Sequence, residues 1–252
     1  KNITLCKTIF LGDTKKMEIS VIIPAYNEEK RILETLEKIY EYLKNKNYAF
    51  EIIVVDDGSK DKTVNVVLNF ADGKKEVKIL KHEKNMGKGA AVKTGVLSAS
   101  GDLVLFTDAD LSTPIEEIEK LKKSIEIGYD ISIGSRGLKE SKIIIPQPWH
   151  RRIIGKIFPL LVRILVINDF KDTQCGFKLF KKGVAKKIFE ELKTDGFAFD
   201  VEVLAKGKKY GYKIDEVPVV WYNSPRSSVK IFKDSFRMFI SLLKIKKIIN
   251  EN

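Results

Sequence analysis

The sequence predicts an α/β protein built on a mainly parallel sheet with helices on both faces. Three observations lead there. Between residues 18 and 136, short β-rich apolar runs alternate with stretches of helical periodicity, the pattern of βα units. Hydrophobic residues make up 44% of the 252, enough for a sizeable core and unlike a disordered chain. No internal repeat or low-complexity linker divides the chain, and residues 17–252 read as one domain.

The elements follow in order. Residues 18–25, EISVIIPA, form a buried strand ended by Pro24 and Asn27. Residues 28–47 form a helix: Ile32, Leu33, Leu36, Ile39, Tyr40 and Leu43 recur at helical spacing, Asn27 is its expected cap, and Glu28 and Glu29 fall in the first turn. FEIIVVD (50–56) is a second strand, and DDGSKDKT is a turn that opens the next helix. VKILKHE (77–83) is a third strand, and NMGKGAAVKTGVLSA (85–99) a Gly-rich turn running into a helix of small residues. DLVLFTD (102–108) is the fourth strand, Pro114 suits the first turn of the helix after it, and DISIGSR (130–136) is the fifth strand. Past residue 137 the pattern changes. Residues 151–167 form a basic amphipathic segment, 173–182 a strand leading into a helix, 197–210 a helix and 213–223 a strand. Residues 231–249 are helical, with Phe232, Phe236, Phe239 and Leu243 near one face and Lys233, Arg237, Lys244 and Lys247 around it.

In sheets of this kind, ligands bind beyond the carboxyl ends of the strands. Those ends carry Tyr26 and Glu28, Asp56 and Asp57, Asp108 and Asp110, and Arg136. Turn chemistry explains any one of these but explains the whole set poorly. The run LFTDADLSTP (105–114) poses the question most sharply. Asp108 and Asp110 either mark a turn or hold a divalent cation, and the residues alone leave both readings open.

Charge and composition bound the function. The net charge is +12, and residues 139–252 carry all of it, with 24 Lys+Arg against 12 Asp+Glu. Such a surface either recruits nucleic acid, anionic lipid or a phosphorylated substrate, or is simply a solvated lysine-rich face. Cys6 and Cys175 do not make a disulfide framework and fit a reduced, intracellular protein; His82 and His150 argue against a clustered zinc site. No run reaches the roughly 18 apolar residues of a spanning helix; the nearest, 153–167, contains Lys156 and Arg163. Residues 1–16 lack a secretory pattern and read as an N-terminal extension ahead of Met17.

Six motifs occur in fixed order: SVIIPAYNE, EIIVVDDGSKDKT, NMGKGAAVKTG, GDLVLFTDADLSTP, IGSR and DTQCGFKLF. Together they resemble the family 2 glycosyltransferases, and within that family the dolichyl-phosphate glucose and mannose synthases. The likeness covers residues 18–245; DAD alone is a weak signal, whereas six motifs in order are highly specific. It implies a GT-A fold, with residues 17–137 forming the nucleotide-sugar and metal part and 138–252 the acceptor and membrane-facing part. It implies inverting transfer of a hexose from a nucleotide diphosphate sugar to a polyprenyl (dolichyl) phosphate, with Mg2+ or Mn2+. It further implies a peripheral position on the cytoplasmic face of a membrane, with no spanning helix and no nucleic-acid partner. DTQCGFKLF and FDVEVL resemble the glucosyl branch, which favours UDP-glucose over GDP-mannose.

The resemblance also implies site residues. Pro24, Tyr26, Glu28, Val54 and Asp56 match the nucleotide pocket, with Lys88, Asp108 and Ala109 beside the donor. A carboxylate only accepts hydrogen bonds, so Asp56 suits the ring N–H of a base, without telling uracil from guanine. Asp57 either holds the turn with Gly58 and Ser59 or touches the ligand. The glycines of GKG (87–89) allow close backbone approach to the ligand. The expected metal ligands are Asp108, Asp110 and Ser112; mannose-synthase relatives carry Gln at the last place, which leaves the third ligand open. A cation there stabilises charge on a departing diphosphate.

For the acceptor phosphate the family positions point to Arg136, Arg151 and Arg152, and less directly to Arg226 and Lys230 around Ser228. A phosphate monoester, with its second pKa near ~6, is largely ionised already. It needs placement by arginine forks more than a general base. Asp200 sits where processive relatives carry a catalytic base, and here it either orients the acceptor or Arg136 or caps a helix. The segments 151–167 and 231–249 either enter a lipid headgroup region or pack on the domain. Two other functions remain as alternatives. A transferase acting on a glycan hydroxyl would be expected to carry Q-x-x-R-W, which does not occur, and a basic nucleic-acid-binding protein leaves the acidic strand ends unexplained.

Overall fold

The computed structural model describes residues 17–145, 158–223 and, in part by backbone alone, 231–251. Its centre is a seven-stranded sheet in the order β3-β2-β1-β4-β7-β5-β8. The first strands are β1 (Ile19–Ala25), β2 (Phe50–Asp56), β3 (Val77–Lys81), β4 (Leu103–Thr107) and β5 (Ile131–Ser135). The sheet is completed by β7 (Phe177–Lys181) and β8 (Ile214–Pro218). Neighbouring strands are parallel except at β7, which runs antiparallel to both β4 and β5. Two strands antiparallel to the same neighbour are parallel to each other. The carboxyl ends of β1, β2, β4 and β5 therefore lie along one edge, joined there by the amino end of β7.

Alternation along the strands sends side chains to two cores. Ile22, Ile53, Val55, Val104 and Phe106 face α3 (Lys88–Leu97), α5 (158–165), α6 (Lys182–Glu190), α7 (Phe199–Lys209) and α8 (Ile231–Glu251). Ile19, Val21, Ile23, Ile52 and Val54 face α1 (Ile32–Asn45), α2 (Thr63–Ala71) and α4 (Ile118–Glu126). Because both faces of the central strands are covered, β1 and β2 read as near-continuous apolar runs, as buried parallel strands do. A 3-10 turn, Ile115–Glu117, precedes α4, with Pro114 just before it.

Three local expectations are corrected. The first helix begins at Ile32 rather than 28, and its cap position is Arg31. Asn27 instead adopts a left-handed φ of 55° and fastens the β2–α2 turn: its N–H donates to Ser59 Oγ and its Oδ1 accepts the Lys60 N–H. Residues 213–223 form two strands, not one. The chain leaves the main sheet after β8, and β9 (Val220–Tyr222) pairs with β6 (Lys142–Ile145) in a separate two-stranded ribbon. On α8 the buried seam is Leu242 and Ile245, whereas Phe239 and Leu243 of the expected apolar face are exposed; the side chains of Phe232 and Phe236 lie outside the described residues.

Candidate active site

Asp108 follows directly on β4, and β7 approaches it from the next position in the sheet. The Asp108 N–H donates to the Gly176 carbonyl at 3.2 Å. A Cβ at residue 176 would lie 2.1 Å from Asp108 Oδ2, so only glycine leaves the carboxylate its place. Asp108 Oδ1 pairs with Lys88 Nζ at 2.7 Å from the start of α3. Burial alone would lower the Lys88 ammonium's pKa, but Asp108, Asp200 and Asp110 outweigh it and hold it above the ordinary lysine value.

Behind this pair lies a second, fully enclosed one. Lys178 Nζ of β7 meets Asp200 Oδ1 of α7 at 2.6 Å and also donates to the Cys175 carbonyl at 2.6 Å. Burial raises the Asp200 carboxyl above its usual range, with Lys178 and Lys88 opposing. Both ammonium groups lie over the Phe106 ring, Lys88 at 5.2 Å and Lys178 at 5.8 Å from its centroid. Asp200 thus lies inside α7 rather than at its cap, and it is the counter-ion of a buried lysine.

Asp110 stands at the rim. The left-handed φ of 46° at Leu111 is rare for a bulky residue. Both the Ser112 N–H and the Ser112 hydroxyl reach Asp110 Oδ1, at 3.1 and 2.8 Å. Asp110 Oδ2 faces Arg31 Nη1 at 3.6 Å, and Arg31 is gripped by both oxygens of Glu28 at 2.6 and 2.7 Å. Burial raises the Glu28 carboxyl above its ordinary value; Arg31 opposes the shift, and the charges of Asp110 and Asp108 add to it. A cleft of about 620 Å3 opens beside Asp110, walled by Arg31, Thr35, Lys38, Ser112 and Tyr222 among others.

Asp108, Asp110 and Ser112 present only oxygen, the donor type of Mg2+ and Mn2+. Among the described residues no three His, Cys, Asp or Glu side chains form a group able to hold a metal by themselves. A hard cation such as Mg2+ commonly takes one or two carboxylates from a protein and the rest of its shell from substrate phosphates and water.

On the nucleotide side, Tyr26 is exposed and open to a ligand, while Asp56 is buried and its carboxylate accepts only long bonds from the Ser59 N–H, at 3.3 and 3.4 Å. The side chains of Val54 and Ala109 lie in the core, and the Ala109 carbonyl accepts the Thr35 hydroxyl at 2.7 Å. Burial thus takes the Val54 and Ala109 side chains away from a ligand. The glycines of GKG serve the chain itself. A Cβ at Gly87 would meet the Asp195 carbonyl oxygen, and one at Gly89 the Thr194 carbonyl oxygen, both at 2.4 Å, while the Gly89 N–H donates to Asp195 at 2.7 Å. Asp57 holds the loop that leads into α3 rather than the turn with Gly58 and Ser59. It accepts the N–H groups of Met86 and Gly87 at 2.9 and 2.8 Å and pairs with His82 Nδ1 at 2.7 Å, with His82 Nε2 on Thr94.

Arg136, at the end of β5, forms a two-pronged pair with Asp172, through Nε at 2.6 Å and Nη2 at 2.8 Å, and its guanidinium lies 5.5 Å from the Trp221 ring centroid. Burial tends to raise the Asp172 carboxyl, but Arg136 overrides it and brings the pKa down to about 2. Arg151, Arg152, Arg226 and Lys230 lie outside the described residues. On the described part of α5, Val162 is buried while Leu160 and Ile164 are exposed. No helix among the described residues is long and apolar enough to cross a membrane.

Reading the sequence missed Arg31, Asp172, Lys178 and the His82–Asp57 pair. Lys178 had a visible signal, a lysine inside the apolar strand FKLFK, which is costly unless paired. Asp172 opens the DTQCGFKLF motif, but nothing in the motif says that its partner is Arg136, and Arg31 carries no local mark.

A mainly parallel sheet with one reversed strand and acidic strand ends at a single rim is a GT-A sugar-transferase scaffold. The Glycosyl transferase family 2 model matches residues 20–189, and the chain belongs to that family. Among its relatives, a dolichyl-phosphate beta-glucosyltransferase of Trichomonas vaginalis is 40% identical over 95% of this chain and 75% of its own length. The dolichyl-phosphate beta-glucosyltransferase of Homo sapiens is 34% identical over 94% of this chain and 77% of its own length. A crystal structure of Mycobacterium tuberculosis glucosyl-3-phosphoglycerate synthase with Mn2+ and UDP-glucose superposes with a TM-score of 0.66 over 91% of this chain and 79% of that one. At 19% identity that likeness bears on the fold alone. The expected GT-A fold and family membership are therefore borne out.

Proposed function

We propose that this protein transfers glucose from UDP-glucose, with inversion, to a dolichyl-type polyprenyl phosphate at the cytoplasmic face of a membrane. One observation carries the reading: an oxygen-only carboxylate pair, Asp108 and Asp110, shares a sheet edge with an aromatic-backed arginine, Arg136. That edge offers one place for a metal-bound diphosphate and another for a second anion. The family relatives supply the identity of the sugar and the lipid.

The uridine lies against Tyr26 and Pro24, beside Glu28, with Asp56 turning to accept the uracil N–H. Asp108, Asp110 and Ser112 would hold Mg2+ or Mn2+, which would supply Lewis-acid stabilisation of the departing diphosphate. Lys88 adds a fixed positive charge on the same side. Arg136 uses the Nη1 edge that Asp172 leaves to it, and with Arg151, Arg152, Arg226 and Lys230 draws in the acceptor phosphate. An acceptor oxygen attacks the anomeric carbon; the new C–O bond forms as the bond to UDP breaks, and UDP leaves with that electron pair. The acceptor arrives ionised, so no base is required. Asp200, already neutralising Lys178, is well suited to a chemistry that asks it for no proton. Exposed Leu160, Ile164, Phe239, Ile240 and Leu243, among lysines, meet the lipid headgroup region.

A donor screen tests this. Purified protein with Mn2+ and a short prenyl phosphate is offered UDP-glucose and GDP-mannose, and glycolipid is counted. Glucosyl lipid is expected; mannosyl lipid would move the reading to the mannose branch. Salt-sensitive binding to bare DNA or RNA without nucleotide-sugar binding would overturn it. Asp110→Ala is expected to abolish product and Mn2+-dependent UDP binding together, and Arg136→Ala to impair use of the lipid phosphate while sparing UDP.

A further inference from the structure

The β6–β9 ribbon carries an apolar surface that the fold does not use. Ile143, Ile144 and Ile145 are 49, 52 and 49% exposed in succession, on a ribbon outside the main sheet. Edge strands are ordinarily protected by charge or proline, and an exposed run of isoleucines on one calls for a partner. The register shifts between Ile143 and Ile145, and an irregularity of that kind re-aims a side chain out of strict alternation.

The ribbon is also fixed to both halves of the candidate site. The Tyr222 N–H donates to the Ser112 carbonyl at 2.8 Å, and the Val220 N–H to Glu117 Oε2 at 3.2 Å, which ties it to the loop bearing Asp110. Trp221, which pairs in register with Ile143, carries the Arg136 guanidinium on its ring. An anion at Arg136 thus has an apolar surface one strand pair away. A molecule with a phosphate head and a hydrocarbon tail matches that sequence of charge, aromatic ring and isoleucines. An unlinked phosphate would leave the isoleucines idle.

We propose that the β6–β9 ribbon is the subsite for the hydrocarbon chain of the acceptor, with Ile143, Ile144 and Ile145 contacting isoprene units beyond the first two from the phosphate. The proposal rests on the reading of the acceptor as a polyprenyl phosphate.

The test compares wild type with I144S and with the triple variant I143S/I144S/I145S, in detergent, at saturating UDP-glucose and Mn2+. Two acceptors are used, citronellyl phosphate and a long dolichyl phosphate. Removing this apolar contact is expected to raise the KM for the long acceptor about tenfold in the triple variant, and less in the single one. The KM for citronellyl phosphate is expected to rise much less, and the affinity for UDP with Mn2+ to stay unchanged. Equal KM values for wild type and triple variant on the long acceptor would overturn the proposal. So would a parallel rise on both acceptors with weakened UDP binding, which means a damaged site. A defect confined to phosphatidylserine vesicles and absent in detergent would also overturn it, assigning the ribbon to the bilayer instead. If wild-type protein glucosylates neither acceptor, the proposed function itself falls.

Discussion

Gly176→Ala is a test of where Asp108 must be. The added Cβ would stand 2.1 Å from Asp108 Oδ2, 2.4 Å from its Cγ and 2.6 Å from Oδ1. A relaxed non-bonded contact needs about 3.5 Å, so the carboxylate has to retreat by about an ångström or more. The backbone gives little help. Asp108 is held to the Gly176 carbonyl by its own N–H, and Gly176 is not among the positive-φ residues, so alanine is accepted there without backbone strain. The movement therefore falls on the side chain, and with it on the Lys88 contact. A displacement of that size at a reacting centre costs about a hundredfold in rate, equivalent to about 2.7 kcal/mol of transition-state stabilisation. The fold should feel it far less, because the atoms that move are the far end of a partly exposed side chain. The assay is Mn2+-dependent UDP release from UDP-glucose with a prenyl phosphate acceptor, run beside a thermal melt. Gly183→Ala is the control: nothing lies within 4 Å of its Cβ, in the first turn of α6. Gly176→Ala turnover within about threefold of wild type, at an unchanged melting temperature, would refute the claim that the position of Asp108 matters.

Other outcomes follow from the buried charges. Lys178→Met strands the Asp200 carboxyl and is expected to cost about 3–5 kcal/mol in urea unfolding; adding Asp200→Leu should recover much of that. The Asp172 carboxyl, brought to about 2, contributes stability that is complete above its unfolded pKa and is lost as pH falls through its folded one. Asp172→Asn should therefore flatten the decline in urea midpoint between roughly pH 4 and pH 2. Asp57→Ala leaves the Met86 and Gly87 N–H groups to water in place of their acceptor, at about 0.5–1.5 kcal/mol each. Faster amide exchange at those two residues and a raised KM for UDP-glucose are expected.

Much of the sheet was legible because β1, β2, β4 and β5 are short apolar runs closed by turn residues, and that pattern survives without tertiary knowledge. Its one reversal was not. FKLFK carries the same alternation whichever way it runs, and only its pairing with β4 and β5 sets direction. The helix starts failed for a related reason. Asn27 has the chemistry of a cap, yet its side chain is claimed by Lys60, 33 residues away, and the helix begins five residues later. At residues 213–223 a continuous β-rich run concealed a change of partner from the main sheet to the ribbon.

The site divides along the same line. Asp108, Asp110 and Arg136 were found because each stands at a strand end, where sequence position alone implies a shared rim. Their companions were not, because a buried charge is meaningful only with its partner, and the partners are distant: Asp172 lies 36 residues from Arg136, and Asp200 lies 22 from Lys178. This has a consequence for mechanism. Read singly, Asp200 is a plausible base, but beside Lys178 it balances a buried charge at 2.6 Å. Asp108 is paired with Lys88 and Asp200 with Lys178, so these two carboxylates each face a lysine. An acceptor that brings its own negative charge needs no proton taken before it attacks, whereas a neutral sugar hydroxyl would, so the two acceptor classes ask different things of the carboxylates at this sheet edge.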